Sequence, residues 1–554
     1  MIGLAPPFVL LEDRLSGAGG RLFREPVEVV RCQRAGDIRP ALARLEAAAA
    51  GGLHAAGFLT YEAAGAFEPR LAGRAAEAGA ALLWFGLFER AEAIAPEALD
   101  AALGALPPPP PLRDLAPAHD LATHTAKVQR ALEYIAAGDA YQVNLTFPLA
   151  FRYDGDPLAL YAALRAAQPA AYGGIVATGE QTILSVSPEL FVEVLDGRIV
   201  TRPMKGTSPR GPDPAADAAA ALTLAADPKQ RAENLMIVDL LRNDLSRIAR
   251  PGSVEVEALC TVETYPTFHT MTSTIAAETD AGAGEVFAAL FPCGSVVGAP
   301  KIRAAEIIAE LEGGPRGVYT GAIGELAPGG DLRFNVAIRT AVLDPDGRGR
   351  FGVGGGVVAD SDPAAEYREA LLKARVLTDL AEDYQLIETL RWTAHGFLRL
   401  DRHLDRLQAS AVALGFVFDR AAVAGALRKA AQALAADQRV RAALARNGAL
   451  EITAAPIGPP ETGLRVAVGA VRLDAADPFL RHKTSRRATY EQAFAQAAAA
   501  GLDEALLLNG AGRIADAARN TVFLERDGRL LTPPVADGAL PGVLRAELIA
   551  QGGA

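Results

Sequence analysis

One lysine, Lys205, lies in the stretch TRPMKGTSPRG, where the surrounding residues leave its chemistry open. Its amine could clamp a phosphate, act as a nucleophile, or remain in solvent. The flanking prolines and glycines predict that the stretch neither continues a helix nor fills a strand. A nucleophilic amine must be neutral, whereas an exposed lysine is almost wholly protonated at pH 7. A closed pocket could lower the pKa of this lysine by desolvation, so the chemistry depends on the elements around Lys205.

Acidic residues follow two helix starts of the same kind. The stretches DPKQRAENLMIVDLLRNDL and SDPAAEYREALLKARVL each open with a predicted N-cap, Asp227 or Asp362, followed by proline. The first helix carries Glu233, and the second carries Glu366 and Glu369, whose i, i+3 spacing predicts a shared helix face. Acids near a helix N-terminus often act only as partners of the helix dipole. The alternative is a magnesium site that takes carboxylate oxygens from both helices and further oxygens from a substrate.

Glycine-rich segments separate these two helices along the chain, among them FPCGSVVGAPK, YTGAIGEL and GVGGGVVADSDP. Such turns let backbone N–H groups approach an anion. Arg339 lies in an apolar strand context, where its charge would be costly without an anion beside it. Neither Lys205 nor Lys301 lies in the GxxxxGK[ST] pattern of a nucleotide phosphate loop, which disfavours a nucleotide clamp.

Composition excludes several other classes of protein. The 554 residues are 50% hydrophobic and 22% charged, which predicts a packed globular chain. A formal net charge of −11, without a basic stripe, argues against a nucleic-acid surface. Cys32, Cys260 and Cys293 form no CxxC pair, so we predict neither a zinc site nor a disulfide framework, and a reducing compartment fits best. No apolar run reaches the roughly 18 residues of a membrane span, and no signal peptide is evident, so we expect a cytoplasmic protein.

The order of elements predicts how the chain is divided. The run LPPPPPL is a stiff spacer that no helix or strand should cross. After it, TAKVQRALEYIAAGDA is predicted as a helix ending near Gly138, and YQVNLTFPLAF and LFVEVLDGRIVTRP as strands, with a hairpin turn at Asp196-Gly197. A new strand–turn–strand–helix unit begins near LIETLRW. The predicted organisation is an N-terminal lobe at 1–105, a proline-rich linker at 106–117, a catalytic domain at 118–382 and a tail domain at 383–554.

Eight motifs, in their order along the chain, resemble the chorismate-utilising enzymes: GDAYQVNLT, SPELF, RPMKGTSPRG, KQRAENLMIVDLLRNDL, FPCGSVVGAPK, YTGAIGEL, NVAIRT and GGGVVADSDPAAEYREALLKA. The resemblance covers about 120–377, and residues 1–105 would be the N-terminal lobe of the same fold. It implies an α+β architecture, a large chorismate-binding β-sandwich with surrounding helices. It also implies an enzyme that acts on chorismate.

Within that family, Lys205 separates one branch from another. The anthranilate synthases resemble this loop but carry alanine at that position, whereas the aminodeoxychorismate synthases, component I, carry the lysine. The resemblance implies that Lys205 attacks C2 of chorismate and expels the C4 hydroxyl, and that ammonia then enters at C4. It gives Glu189 of SPELF the acid–base role. Anthranilate synthase component I remains the nearest alternative, and the water-adding branch that makes salicylate or isochorismate ranks lower.

The resemblance also assigns metal and substrate contacts. It implies that Glu233 and Glu369 bind Mg²⁺, with Glu366 acting through water, and it gives substrate contacts to Gly206, Thr207, Tyr319, Arg339, the Gly356 backbone and Lys373. Two positions depart from the anthranilate synthase pattern. Gln230 replaces an outer-shell glutamate, and FHTMTS carries Thr270 where those enzymes have histidine. His269, one place earlier, is at least as well explained as a buried, hydrogen-bonded histidine as by a role in proton transfer.

The tail resembles the fold-type IV pyridoxal phosphate enzymes, in particular 4-amino-4-deoxychorismate lyase. The motifs LIETLRW, RHLDRLQASA, HKTSRRATYEQA, GLDEALLLNGAGRIADAARNTVFL and LLTPPVADGALPGVLR follow in order over 386–545. The resemblance implies a smaller α/β domain in which Lys483 is the Schiff-base lysine, Arg406 binds the cofactor phosphate and Asp516 faces the pyridine nitrogen. Thr521 lies where many relatives have asparagine.

The tail also stops at ELIAQGGA, before a segment that supplies a second phosphate-binding turn in relatives, so we expect weak cofactor binding. A non-catalytic interaction module is the alternative for this domain. The motifs together predict a chorismate-aminating enzyme of the 4-aminobenzoate and folate branch, with lyase activity in the tail as a second activity. No glutaminase motif surrounds any of the three cysteines, so ammonia is expected from a separate glutamine amidotransferase subunit.

Overall fold

The computed structural model describes residues 4–71, 79–211, 214–265, 268–381, 384–414, 416–434, 437–458, 463–475 and 477–552. The chain divides into two compact units. Unit 1 comprises Met1–Gly211 and Asp217–Glu382, and unit 2 comprises Pro212–Ala216 and Asp383–Ala554. The domain boundary predicted at about 382 falls on a residue outside the described ranges.

The strands of unit 1 are, in chain order, β1 Phe8–Asp13, β2 Gly19–Arg24, β3 Glu28–Cys32, β4 His54–Leu59, β5 Leu83–Phe88, β6 Glu92–Ile94, β7 Arg113–Pro117, β8 Gln142–Arg152, β9 Tyr172–Ala177, β10 Thr182–Ser187, β11 Leu190–Leu195, β12 Arg198–Arg202, β13 Met204–Pro209, β14 Glu255–Thr264, β15 Phe268–Glu278, β16 Gly298–Ala299, β17 Ala322–Leu326, β18 Leu332–Val336, β19 Thr340–Leu343 and β20 Arg348–Val357. Its α-helices are α1 Ile38–Ala50, α2 Pro96–Gly104, α3 Leu121–Ala136, α4 Pro157–Ala167, α5 Pro214–Ala226 (whose first three residues are grouped with unit 2), α6 Pro228–Ser246, α7 Ala283–Leu290, α8 Lys301–Glu312 and α9 Pro363–Ala381.

These strands form two antiparallel sheets of ten strands each. The first has the order β16-β8-β20-β19-β10-β9-β1-β2-β6, with β7 on β8, and the second has the order β13-β15-β12-β11-β18-β17-β4-β5-β3, with β14 on β15. One apolar cluster joins both sheets, for example through Val9 and Ile183 of the first and Phe58 and Trp84 of the second. The sheets therefore pack face to face, which confirms the predicted sandwich and its α+β class.

Helices cover the outer faces of the sandwich. Residues of α1, α7 and α8 share a core with the second sheet, and residues of α2, α4 and α9 share a core with the first. The N-terminal strands are built into the same sheets, because β1 pairs with β9 and β4 pairs with β17. The two sheets thus collect elements far apart in sequence, which places loops and helix starts from several segments around one cavity.

The local predictions in unit 1 are mostly confirmed. Helix α3 ends at Ala136, β8 covers the predicted strand, and no described element crosses the polyproline run between α2 and β7. Strands β11 and β12 form the predicted hairpin, with left-handed backbone at Asp196 and Gly197. Helices α6 and α9 begin after the predicted caps, since Asp227 accepts from two backbone N–H groups and Asp362 from one.

The prediction that the Lys205 stretch forms no strand is wrong. Residues Met204–Pro209 form β13, which pairs with β15 at the edge of the second sheet. The register shifts between Lys205 and Thr207, and Gly206 has a φ of 77°. A bulge at an edge tolerates both the glycine and the terminal proline, because few ladder hydrogen bonds depend on them. The bulge also reorients the strand next to the lysine.

Unit 2 is a smaller domain of mixed helix and sheet. Its strands are β21 Leu386–Thr393, β22 Gly396–Phe397, β23 Gln438–Leu444, β24 Leu450–Pro456, β25 Val466–Leu473, β26 Glu504–Asn509, β27 Ile514–Ala517, β28 Leu524–Arg526 and β29 Arg529–Leu531, and its helices are α10 Leu400–Leu414, α11 Arg420–Ala431, α12 Ala488–Ala499 and α13 Val543–Ala550. The sheets have the orders β22-β21-β23-β24, β25-β26-β27 and β28-β29. The predicted strand–turn–strand–helix start is confirmed by β21, β22 and α10. In the described part of the chain, no helix has the length and apolar character that a membrane crossing requires.

Candidate active site

A cavity in unit 1 is lined by every residue predicted for the chorismate site. It encloses about 1150 Å³ of space between protein atoms, including the part open to solvent, which is ample for a small ring acid. The predicted residues that line it are Glu189, Lys205, Gly206, Thr207, Glu233, Tyr319, Arg339, Gly356, Glu366, Glu369 and Lys373. The structure therefore brings eleven positions, spread over 185 residues of sequence, to one place.

Lys205 enters the cavity from the bulged edge strand β13. Its Nζ donates a hydrogen bond to the Ser295 backbone carbonyl at 3.0 Å. Burial lowers the pKa of the Lys205 ammonium, and the negative charges of Glu233 and Glu189 oppose that shift. Since the desolvation effect is the larger one, the neutral amine is more accessible than on an exposed lysine. The bond to the carbonyl leaves the nitrogen lone pair free for other chemistry.

Glu189 lies beside this amine, in the turn between β10 and β11. Its side chain is only 3% exposed, and the Ser295 hydroxyl donates to Glu189 Oε1 at 2.6 Å. Burial raises the pKa of Glu189 to about 7, and the bond from Ser295 and the charge of Lys205 limit the rise. A carboxyl group that is near half-protonation at neutral pH is suited to both proton donation and proton uptake.

Ser295 connects the two groups, and the sequence did not reveal it. Its backbone carbonyl accepts from Lys205 and its hydroxyl donates to Glu189, so one residue holds both reactive groups. Ser295 lies in a short 3-10 turn, Gly294–Val296, and lines the cavity. The hydroxyl in the motif FPCGSVVGAPK was the available signal, but nothing in the spacing related it to Glu189.

Three further carboxylates line the cavity, one on α6 and two on α9. Burial raises the pKa of both Glu233 and Glu366, and the charge of Glu369 adds to each shift. Glu366 Oε1 accepts a hydrogen bond from Ser361 at 2.6 Å. Glu369 differs, because Lys373 lies 2.7 Å away and lowers its pKa. Mutually repelling carboxylates of this kind favour a cation between them.

The donor set fits a hard cation in its chemistry. All three side chains offer oxygen, which Mg²⁺ prefers, and Mg²⁺ commonly takes only one or two protein carboxylates with water and substrate completing its shell. Within the described ranges, however, no three His, Cys, Asp or Glu side chains are close enough together to enclose a metal on their own. Glu369 is engaged by Lys373 instead. Gln230 of α6 lies close to Gly206, because a Cβ built on Gly206 would be 2.7 Å from Gln230 Oε1.

Cationic and aromatic groups complete the cavity. Burial lowers the pKa of Arg339 to about 10, and its guanidinium donates to the Lys373 backbone carbonyl. Lys373 Nζ donates to the Gly354 carbonyl at 2.9 Å. The ring of Tyr319 lies against Gly352, where a Cβ would be 2.2 Å from a ring carbon, so that close approach requires glycine. Cations from three different elements therefore face a space that suits a multiply charged anion.

His269 is turned away from this chemistry. It is 1% exposed, with Nδ1 at 2.9 Å from Thr264 Oγ1 and Nε2 at 2.9 Å from Asp217 Oδ1. Within the described part of the chain, Phe268 lines the cavity and its neighbour His269 does not. This geometry matches the buried, hydrogen-bonded histidine that the sequence suggested as one alternative.

In unit 2, the three residues predicted for the cofactor site influence one another electrostatically. Burial lowers the pKa of Lys483, and the charge of Arg406 lowers it further. Burial raises the pKa of Asp516 to about 6, against the effect of backbone N–H groups and of nearby Lys483. The acceptor bonds of Asp516 come from the Ala517 and Leu540 N–H groups at 2.9 and 3.3 Å.

Arg406, predicted to bind the phosphate, is already paired. It makes two hydrogen bonds to Glu388, at 2.8 and 2.6 Å, and His403 Nδ1 lies 2.6 Å from the same carboxylate. Glu388 is only 3% exposed, so these partners and not solvent stabilise its charge. The sequence did not single out this glutamate, although it stands in the motif LIETLRW. A phosphate in this place would share Arg406 with a buried carboxylate.

Both parts of the chain resemble known protein families. Residues 11–379 match the family model described as chorismate binding enzyme, and residues 385–553 match the one described as amino-transferase class IV. An aminodeoxychorismate synthase of Streptomyces griseus is 44% identical over 299 residues, 52% of this chain and 41% of that protein. Anthranilate synthase component 1 of Streptomyces coelicolor is 45% identical over 259 residues, 46% of this chain and 50% of that protein.

A solved structure supports the fold of unit 1. The crystal structure of anthranilate synthase component I from Streptococcus pneumoniae superposes with a TM-score of 0.55 at 28% identity, and covers 68% of this chain and 93% of that one. The chain spans about half the length of the curated relatives it matches. The family model, by contrast, covers two thirds of this chain, from the first strand of the sandwich to the end of α9. The chain therefore belongs to the chorismate binding enzyme family.

Proposed function

We propose that the chain is an aminodeoxychorismate synthase component I, which converts chorismate and ammonia to 4-amino-4-deoxychorismate and water. The observation that carries this proposal is Lys205, an amine of lowered pKa held beside a near-neutral carboxyl group, Glu189, in a cavity lined with cations. Relatives of nearly equal identity bear the names of both aminodeoxychorismate and anthranilate synthases, so identity alone does not choose between them. The lysine favours the first.

The first step uses Lys205 as a nucleophile. Its Nζ forms a bond to C2 of chorismate, both ring double bonds shift by one position toward C4, and the C4–O bond breaks. Glu189 supplies a proton to the departing hydroxyl and takes one from the attacking amine, so water leaves and the carboxyl group returns to its starting state. A pKa of about 7 makes both proton transfers accessible at neutral pH.

The second step replaces the lysine by ammonia. The ammonia nitrogen forms a bond to C4, both ring double bonds shift back, and the C2–Nζ bond breaks with its electron pair returning to the lysine. One proton of the incoming ammonia passes to the released amine, so the enzyme is restored. In this account Ser295 is a positioning residue, because its carbonyl orients Lys205 and its hydroxyl fixes Glu189.

Chorismate carries two carboxylates, and the cavity offers separate groups for them. Arg339, Lys373 and the Tyr319 hydroxyl would bind anionic oxygens, and the backbone at Gly356, with Gly206 and Thr207, would shape the wall. Glu233 and Glu369 would hold Mg²⁺, with Glu366 acting through water. A magnesium ion bound there would supply charge neutralisation and orientation for the ring carboxylate. Lys373 would then leave Glu369 for the substrate, which the flexible ammonium allows.

We propose that the reaction belongs to the 4-aminobenzoate and folate branch and takes place in the cytoplasm. Ammonia would come from a separate glutamine amidotransferase subunit. The catalytic domain would comprise 118–382 with the lobe 1–105 and the linker 106–117, followed by the tail domain 383–554. All three cysteines are free and buried, which is in keeping with a reducing compartment.

The decisive experiment identifies the product formed from chorismate, ammonium and Mg²⁺, with and without an added aminodeoxychorismate lyase. The expected result is 4-amino-4-deoxychorismate, which the added lyase converts to 4-aminobenzoate. Anthranilate as the main product would instead assign the chain to the alternative branch. Salicylate or isochorismate would show that water, and not ammonia, is the nucleophile.

For unit 2 we propose a second activity, the pyridoxal phosphate-dependent conversion of 4-amino-4-deoxychorismate to 4-aminobenzoate. The lowered pKa of Lys483 suits a Schiff-base lysine, and Asp516 offers an acid for the pyridine nitrogen. The cofactor would supply an electron sink for the elimination. Because Arg406 is shared with Glu388, we expect the cofactor phosphate to bind weakly.

Absorbance of protein-bound pyridoxal phosphate tests this second proposal. The expected spectrum shows substoichiometric binding that Lys483→Ala abolishes, and slow 4-aminobenzoate formation without an added lyase. Absence of any Lys483-dependent spectrum in cofactor excess would instead favour the alternative of a non-catalytic interaction module.

A further inference from the structure

Gln142, the first residue of β8, is a buried amide without partners. Its side chain is 0% exposed, and neither Nε2 nor Oε1 has a hydrogen-bond partner among the residues that the structure describes. A primary amide offers two donors and an acceptor with two lone pairs. Leaving such groups unpaired in the interior costs roughly 1–3 kcal/mol each, so leucine would be the cheaper residue if only packing mattered. A buried glutamine in this state indicates a small polar guest.

The position of this amide relates it to the cavity. A Cβ on Gly356 would be 2.0 Å from Gln142 Nε2, so the amide lies directly on the glycine backbone that forms part of the cavity wall. Asn144, two residues further along the same strand, also lines the cavity. Gln142 therefore adjoins the cavity wall at Gly356.

Small apolar residues border the amide on its own face of the sheet. Gly356 of β20, which the amide lies against, brings no polar side chain next to it. Ala299 of β16 pairs with Gln142 itself and is buried. Such an environment disfavours a charged guest and accepts a small neutral one.

We propose that Gln142 receives ammonia on its way to the cavity. This inference rests on the proposed function, in which ammonia is the second nucleophile. Ammonia donates three hydrogen bonds and accepts one, which the carbonyl oxygen and the NH₂ group of one amide can match. A carboxylate in this place would favour ammonium, which has no lone pair and cannot attack C4. The amide is therefore the side chain that holds the guest in its reactive form.

Steady-state kinetics with ammonium as the sole nitrogen source test the proposal on the full chain. The variants are Gln142→Leu, which removes the polar atoms, and Gln142→Glu, which keeps the size and adds a charge. The control is Gln168→Leu, which removes another buried glutamine amide, bonded to the Val186 carbonyl and not among the residues that line the cavity. The unmodified chain tests the proposed function separately: if it forms no aminated product from chorismate and ammonium, the proposed function fails, whatever the Gln142 variants do.

We expect both Gln142 variants to lower kcat/KM for ammonia by about ten-fold or more, the loss of about one hydrogen bond, while the KM for chorismate changes less than about two-fold. The glutamate variant should be the poorer one, and Gln168→Leu should behave as the unmodified chain does. An unchanged kcat/KM for ammonia would overturn the proposal. A parallel loss in both parameters would also overturn it, because the amide would then only shape the wall at Gly356.

A high-resolution crystal structure of the chain gives a readout that does not depend on activity. We expect a solvent-sized density peak within hydrogen-bond distance of Gln142 Nε2 or Oε1, absent in Gln142→Leu. No peak would overturn the proposal. A peak combined with unchanged ammonia kinetics would identify a structural water and would overturn it as well.

Discussion

The two units hold their predicted reactive groups in different ways. In unit 1, Lys205, Arg339 and Lys373 come from three elements and face a common cavity with the carboxylates Glu189 and Glu233. In unit 2, the cation predicted to meet a phosphate, Arg406, is bonded twice to the buried Glu388. Both sites were predicted from ordered motifs, but Lys205 and Arg339 of the first donate to neutral backbone carbonyls, whereas Arg406 of the second pairs with a buried carboxylate.

The difference shows that a motif identifies a residue without identifying what it already contacts. A buried Arg–Glu pair satisfies its own charges, so a ligand must compete with it. Among the residues that the structure describes, Lys205 has no such charged partner at hydrogen-bond distance, and its bond goes to a neutral backbone carbonyl. We therefore expect unit 1 to be ready for its substrate and unit 2 to bind its cofactor only weakly.

Replacing the nucleophile should have the largest effect. We expect Lys205→Ala to lower formation of 4-amino-4-deoxychorismate by at least about 10⁴-fold, because removing a nucleophile leaves only binding and electrostatic contributions. The alanine found in the anthranilate branch leads us to expect a trace of anthranilate. Lys205→Arg is the matched control, since it keeps the positive charge and never becomes neutral, and should be equally inactive. Retention of the 4-amino product by either variant would remove Lys205 from the mechanism.

Breaking the buried pair in unit 2 should have the next largest effect. Glu388→Gln leaves Arg406 with a buried charge that is no longer neutralised, which should lower the free energy of unfolding by about 3 kcal/mol. Pyridoxal phosphate should recover part of this loss and bind more tightly than to the unmodified chain. Thermal unfolding with and without pyridoxal phosphate measures the loss of stability and its recovery by the cofactor. Glu525→Gln, at an exposed position, is the control. Equal cofactor affinity in both proteins would show that Glu388 does not compete with the phosphate.

Removing one carboxylate from the proposed magnesium site should weaken metal activation. We expect Glu233→Gln and Glu369→Gln each to raise the Mg²⁺ concentration for half-maximal rate by at least about 100-fold. Glu491→Gln, at an exposed position in unit 2, is the control and should leave this Mg²⁺ concentration unchanged. Titration of the initial rate with Mg²⁺ makes the comparison. Normal activation at low Mg²⁺ in either cavity variant would exclude that side chain as a ligand.

The smallest predicted effect is a shift in pH dependence. The Ser295 hydroxyl bond stabilises ionised Glu189 and so holds its raised pKa down to about 7. Ser295→Ala removes this donor, and the pKa should rise further, by up to about one unit for a hydrogen bond of about 1.4 kcal/mol. The limb of the rate profile near pH 7 should therefore move to higher pH. A profile that keeps its position with a lower rate would mean that Ser295 does not set the proton affinity of Glu189.

Much of this site could be predicted from the sequence because its residues stand in long, ordered motifs. The N-caps at Asp227 and Asp362 fixed the starts of α6 and α9, and the helical spacing then placed Glu233, Glu366 and Glu369 in their first two turns. The hairpin at Asp196-Gly197 followed from turn chemistry alone. These are local features, in which neighbouring residues determine the backbone.

The remainder depends on contacts between distant parts of the chain. Lys205 was predicted outside any strand, but pairing with β15, more than sixty residues later, makes its stretch an edge strand. Ser295 meets Glu189 across 106 residues. The pair between Glu388 and Arg406 forms only when β21 packs on α10. No periodicity in one segment reports such pairings, because register and packing partners are set by the whole sheet.

Mass spectrometry of the Lys205 peptide tests directly whether this lysine forms a covalent bond to chorismate. The full chain is incubated with chorismate and Mg²⁺ in the absence of ammonia, then denatured and digested. We predict a Lys205 peptide heavier by the mass of chorismate less one water. The added mass should be lost, with release of 4-amino-4-deoxychorismate, when ammonium is added before denaturation. An unmodified Lys205 in a sample that still makes the 4-amino product at its normal rate would exclude this lysine as the nucleophile.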